Sequence, residues 1–165
     1  MNKEKFAILK EKQNEMQKLK KEMLEESNRI FTELTKDIFV EHPKVKSFSW
    51  SQYTPYFNDG DTCYFSVNND YISINGEPVD ESNWISETKI TNYGTWNREK
   101  REYEGRTEVA NLDYDPDLAK AADEIREFLR NFDDAFYLQQ FGDAEVTITA
   151  DGVSIDDCAK QRIKW

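Results

Sequence analysis

Ser47-Phe48-Ser49-Trp50-Ser51-Gln52 alternates small polar with large side chains, and Tyr53-Thr54-Pro55-Tyr56-Phe57-Asn58-Asp59-Gly60-Asp61 carries the chain out of that alternation. A period of two is the mark of a half-buried strand. Asn, Asp and Gly supply the local hydrogen bonds and backbone freedom that a turn needs, so Asn58 to Asp61 reads as one. Beyond it Cys63, Phe65 and Val67 alternate with Tyr64, Ser66 and Asn68. Tyr71-Ile72-Ser73-Ile74 follows Asn68-Asn69-Asp70, and Asn75-Gly76 closes the run. Val45 to Gly76 therefore predicts a three-stranded antiparallel meander.

Upstream, residues 3–41 contain no Gly or Pro and are rich in Glu, Lys, Gln, Met and Leu. These are good helix formers. Apolar residues recur at Phe6, Leu9, Met16, Leu19, Met23, Ile30, Leu34 and Ile38, and His42-Pro43 ends the run. The expectation is one helix of about 36 to 40 residues, about 55 to 60 Å long. Leu9, Met16, Met23 and Ile30 are seven apart, but the complementary heptad position reads Lys12, Leu19, Glu26 and Glu33. A full coiled coil wants both positions apolar, so the first half is at best a weak one. The denser second half is expected to pack on the domain. Residues 1–42 thus form a helical arm and 43–165 a single domain.

Downstream, Glu77 to Asn111 reads as a long excursion holding one short strand or helix. Asp115-Pro116-Asp117 starts a helix, with an N-cap, Pro at the first position and acid in the first turn. Leu118, Ala121, Ala122, Ile125, Phe128, Leu129 and Phe132 form its apolar stripe. Asp134 to Phe141 adds a turn or two. Glu145 to Ala150 and Val153 to Asp156 form a hairpin across Asp151-Gly152. That register sets Ala150 opposite Val153, Ile148 opposite Ile155 and Thr149 opposite Ser154. The fold class is α+β: a long N-terminal helix, then an antiparallel sheet of meander plus hairpin, packed against a second amphipathic helix.

The chain has 165 residues and a net charge of −11, with 38% hydrophobic and 13% aromatic residues. Residues 1–36 hold nine Lys or Arg against seven Glu, or +2, and the remainder holds 13 basic against 26 acidic, or −13. The negative field thus belongs to the domain. It disfavours direct binding to nucleic acid or anionic membranes and favours a protein partner with a basic surface. No stretch approaches the roughly 20 apolar residues of a membrane span, and no signal peptide is evident, so a cytoplasmic setting is expected. The near-neutral arm is suited to homodimer formation through the N-terminal helix.

Few residues point to chemistry. Asn58, Asp59 and Asp61 lack the spacing of an EF-hand loop, so no metal is expected there. Adjacent acids such as Asp133-Asp134 and Asp156-Asp157 arise by chance in so acidic a chain. His42 reads as a helix-end residue. Cys63 and Cys158 lack a neighbouring base, and no glycine loop cradles phosphate, so no cofactor is expected. The densest cluster is the aromatic turn. Trp50, Gln52, Tyr53, Tyr56, Phe57, Asn58, Asp59 and Asp61 are its candidate binding residues, since aromatics dominate binding hot spots. The structural alternative is that these aromatics build the core.

Trp50 to Val67, with its W-x-Q-Y-T-P-Y-F-N-D-G-D core running into a cysteine and an F-S-V strand, resembles a family of small uncharacterised proteins of bacteria and their phages. Phe141-Gly142-Asp143-Ala144-Glu145-Val146-Thr147-Ile148-Thr149-Ala150-Asp151-Gly152 resembles their closing hairpin. A histidine usually follows F-G-D there, and Ala144 in its place weakens any role for that position. The resemblance covers Val45 to Asp156 and brings no activity with it. It implies a bacterial or phage source and a host-directed role. The leading expectation is an acidic, non-enzymatic interaction protein, phage-encoded and blocking a host defence or nucleic-acid-binding protein. The alternatives are a small-molecule or nucleotide module built on the Trp50–Asp61 turn and, ranked below both, a carboxylate-based enzyme.

Overall fold

The structure, a computed structural model, describes residues 3–55, 62–80 and 84–157. The chain divides into two compact units, Met1–Asp37 and Ile38–Trp165. Helix α1, Lys3–Glu41, is 39 residues long and begins in the first unit and ends in the second. Within the first unit it is laced by side-chain pairs one turn apart: Lys12–Glu15, Lys18–Glu22, Lys21–Glu25, and Arg29 with both Glu26 and Glu33. Each such pair adds about 0.2–0.5 kcal/mol to a helix. Phe6, Leu9, Met16, Leu19 and Met23 are all more than half exposed.

The second unit is built on a five-stranded antiparallel sheet in the order β3-β2-β1-β8-β9. Its strands are β1 (Ser47–Tyr53), β2 (Ser66–Ile74), β3 (Glu77–Pro78), β8 (Ala144–Thr149) and β9 (Gly152–Asp157). The expected meander and closing hairpin thus merge into one sheet with β1 at its centre. Phe48, Trp50, Gln52, Ile72, Ile74, Val146 and Ile148 form its buried face. Helices α2 (Pro116–Arg130) and α3 (Asp134–Phe141) supply the other side of the core. Phe48 meets Phe39 at 5.8 Å and Phe128 at 6.2 Å between ring centroids, and Trp50 meets Tyr137 and Phe141 edge-on at 5.9 Å each. Each large apolar side chain buried this way contributes about 1.5–3 kcal/mol.

Three expectations change. Asn68 to Tyr71 does not separate two strands. Pairing jumps from Trp50 opposite Ile72 to Gln52 opposite Val67, so residues 68–71 form a bulge inside one strand, β2. Asn68 Nδ2 donates to Ser51 Oγ at 2.8 Å and anchors it. The third strand is only Glu77–Pro78, reached by Asn75 and Gly76 with φ of +56° and +83°. Two consecutive positive φ values are what a tight hairpin turn requires. The closing hairpin pairs Ile148 with Val153 and Thr149 with Gly152, so the loop is Ala150-Asp151. The slip is by two residues, not one, so every side chain keeps its expected face.

Residues 88–110 are also more ordered than expected. β4 (Thr88–Asn92) pairs with β7 (Thr107–Ala110), and β5 (Thr95–Asn97) with β6 (Glu102–Glu104). They are two separate two-stranded antiparallel sheets, and the Trp96 and Tyr103 rings lie 5.0 Å apart across the second. A side chain on Gly94, at φ +74°, would collide with the Glu104 carbonyl.

Gln52 is completely buried. Its Oε1 accepts from Trp50 Nε1 at 2.9 Å, and its Nε2 donates to the Tyr137 and Gly142 carbonyls at 3.0 and 2.7 Å. Gln52→Leu keeps the volume and removes the amide. The expected loss is about 2 kcal/mol or more, since each orphaned buried polar group costs about 1–3 kcal/mol. Urea denaturation reads this as a lower midpoint, and a variant as stable as the parent would show that the amide is dispensable.

Candidate functional site

The end of α1 and the start of α2 meet in the second unit. Pro43 stops α1, whose last backbone bond there runs from His42 N to Ile38 O at 2.9 Å. Asp115 caps α2 by accepting from the backbone N–H groups of Asp117 and Leu118. Lys44 ties the two together, with Nζ 2.8 Å from carboxylate oxygens of Asp115 and of Asp117. Between them lies a cleft of about 300 Å³ lined by residues 41–44 and by Asp117, Leu118 and Lys120.

His42 lines the cleft and is only 7% exposed. Its Nε2 lies 2.5 Å from Glu124 Oε2, one turn along α2 from Lys120, whose Nζ is 3.3 Å from Glu124 Oε1. The His42 hydrogen bond, then Lys120, hold the Glu124 carboxyl below the usual range against the opposing effect of burial. The Lys44 contact, then the two backbone N–H groups, do the same for Asp115, again against burial. One atom each of Glu41, His42 and Glu124 lie within 4.8 Å of one another. This is the ligand-bearing cluster among the described residues.

The residues singled out in the sequence fall elsewhere. Trp50 and Gln52 lie inside the core, with their polar groups bonded to each other and to backbone. Tyr53 is half-buried at the end of β1. Tyr56, Phe57, Asn58, Asp59 and Asp61 lie outside the described residues. Ala144, where the resembling proteins usually carry histidine, stands opposite Gln52 and is fully buried. His42 was legible as a helix-end residue. Its partner Glu124 lies 82 positions away, and only the i,i+4 spacing to Lys120 hinted that this carboxylate is held in place.

Asp115→Ala is expected to cost about 1 kcal/mol at neutral pH through loss of the cap. The Asp115 carboxyl is depressed in the folded state, so its contribution is present above the unfolded value of about 4 and fades as pH falls through the folded value. Denaturation midpoints of the two proteins should therefore converge in acid. A gap that stays constant to low pH would assign the effect to something other than the charge.

No helix among the described residues is long and apolar enough to cross a membrane. No family model, curated protein or solved structure matches the chain, so its chemistry has to be read from its own residues.

Proposed function

We propose that this chain is an acidic, non-enzymatic interaction protein whose domain engages a basic surface on another protein. One observation carries the reading: carboxylates stand where they oppose folding. Glu145 and Asp156 face each other directly on the exposed side of the β8–β9 pair. Like charges in that relation destabilise a sheet. They add to a region, residues 37–165, that holds 26 acidic against 13 basic side chains. Such a field steers basic partners and repels phosphate. The resemblance to bacterial and phage proteins suits a phage-encoded protein acting in the host cytoplasm on a defence or nucleic-acid-binding factor.

Function and stability should then move in opposite directions. Glu145→Lys should stabilise the fold by about 0.2–1 kcal/mol. It should also weaken capture of a nucleic-acid-binding protein from bacterial lysate, and both salt and added DNA should release that protein from the parent chain. If no basic or nucleic-acid-binding protein is retained at low salt, the reading fails.

We assign the exposed stripe of α1 to a second copy of the chain. Leu9, Met16, Met23 and Ile30 repeat at seven residues, a spacing that matches itself across a two-fold axis. Light scattering should give a dimer for the full chain and a monomer after deletion of residues 1–25. A dimer that survives the deletion removes the arm as its cause.

A further inference from the structure

The cluster at the end of α1 has the composition of a metal site, and nothing in the charge argument uses it. We propose that Glu41, His42 and Glu124 bind one first-row divalent cation, with zinc the best match, and that water from the cleft completes its coordination. One ligand-type atom from each lies within 4.8 Å of the other two. Zinc bonds at about 2.0–2.2 Å set ligand atoms about 3.5 Å apart, so the Glu124 carboxylate, now 2.5 Å from His42 Nε2, moves back to admit the ion and the Glu41 side chain rotates in. Glu41 is exposed and free to make that rotation, whereas His42, at 7% exposure, is fixed by its surroundings.

The donor set selects the metal. An imidazole nitrogen favours zinc and its first-row neighbours over calcium and magnesium, which prefer all-oxygen shells. Two carboxylates balance the charge of a divalent ion. Three protein ligands leave a coordination position open, and two of them, Glu41 and His42, line the cleft of about 300 Å³ from which water would fill it. The cation would replace the hydrogen that now joins His42 Nε2 to Glu124 Oε2. Lys120 does not block this, because it pairs with the other oxygen, Oε1, and so orients the carboxylate. Lys44, also in the cleft wall, is held by Asp115 and Asp117.

The test is a zinc titration of the tag-free full chain by calorimetry, after chelator treatment and with magnesium and calcium in excess. The expected result is one zinc per chain, with affinity reduced about tenfold or more in His42→Ala and in Glu41→Gln. His42 is the only histidine, so a nitrogen-detected spectrum reports its ring directly. Its Nε2 resonance should move on zinc addition. The double variant Cys63→Ser, Cys158→Ser should bind as the parent does. Circular dichroism checks each fold, and if His42→Ala does not fold, the exposed Glu41→Gln decides. Absence of zinc binding overturns the proposal. So does binding that Glu41→Gln leaves unchanged, that calcium displaces equally well, or that the cysteine variant abolishes.

Discussion

The amide of Gln52 is the interaction on which the arrangement of the domain depends. It sits at zero exposure on the central strand of the sheet, where an unsatisfied polar group would be costly. Both of its N–H groups and its carbonyl oxygen are engaged, by the carbonyls of Tyr137 and Gly142 and by the Trp50 indole. The indole lies on the same strand. The other two lie midway along α3 and in the turn that leads to β8. One side chain thus fixes the height of α3 over the sheet and the point at which β8 begins. Asp143 extends the tie, accepting from the Thr54 backbone N–H at 3.1 Å.

The aromatic core follows from that anchor. With α3 held, Phe136, Tyr137 and Phe141 close around Trp50 and Phe132, mostly edge to face. That is the geometry their quadrupoles favour. Tyr137 donates its hydroxyl hydrogen to the Leu129 carbonyl at 2.8 Å, which locks α3 to α2. Burial, and secondarily the charge of Asp134, push its phenol above the usual value, so it stays protonated. Elsewhere in the domain, Lys44 and His42 fasten the chain at the end of α1 to α2, through Asp115 and Asp117 at its start and Glu124 midway along it. The domain is therefore stapled by polar contacts at two places, and apolar packing fills the space between them.

This division separates structure from surface. The residue types that looked most like a recognition site, Trp50 and Gln52, are the ones the core needs most. Left at the surface are the carboxylates of β8 and β9, the strand pairs of residues 88–110, and the cleft lined by Glu41 and His42. These strand pairs show why their stretch of sequence was hard to read. Tyr93, Trp96, Tyr103 and Val109 remain exposed, and the strands run only three to five residues, too short for their alternation to stand out.

By itself the sequence determined those elements whose signals are local. The absence of Gly and Pro with helical spacing specified α1, and Asp115-Pro116 with its apolar stripe specified α2. The Ser-Phe-Ser-Trp alternation specified β1, and the charge count specified an acidic domain. Each depends on neighbours within a few residues, where propensity, capping and period act directly. Only the tertiary structure decided that β1 and β8 pair to join meander and hairpin, that Asn68 to Tyr71 bulges instead of turning, and that Gln52 faces inward. It alone brought Glu124 to His42. Those outcomes come from pairing and burial between residues tens of positions apart, and no period in a single segment records which distant group will satisfy a buried donor.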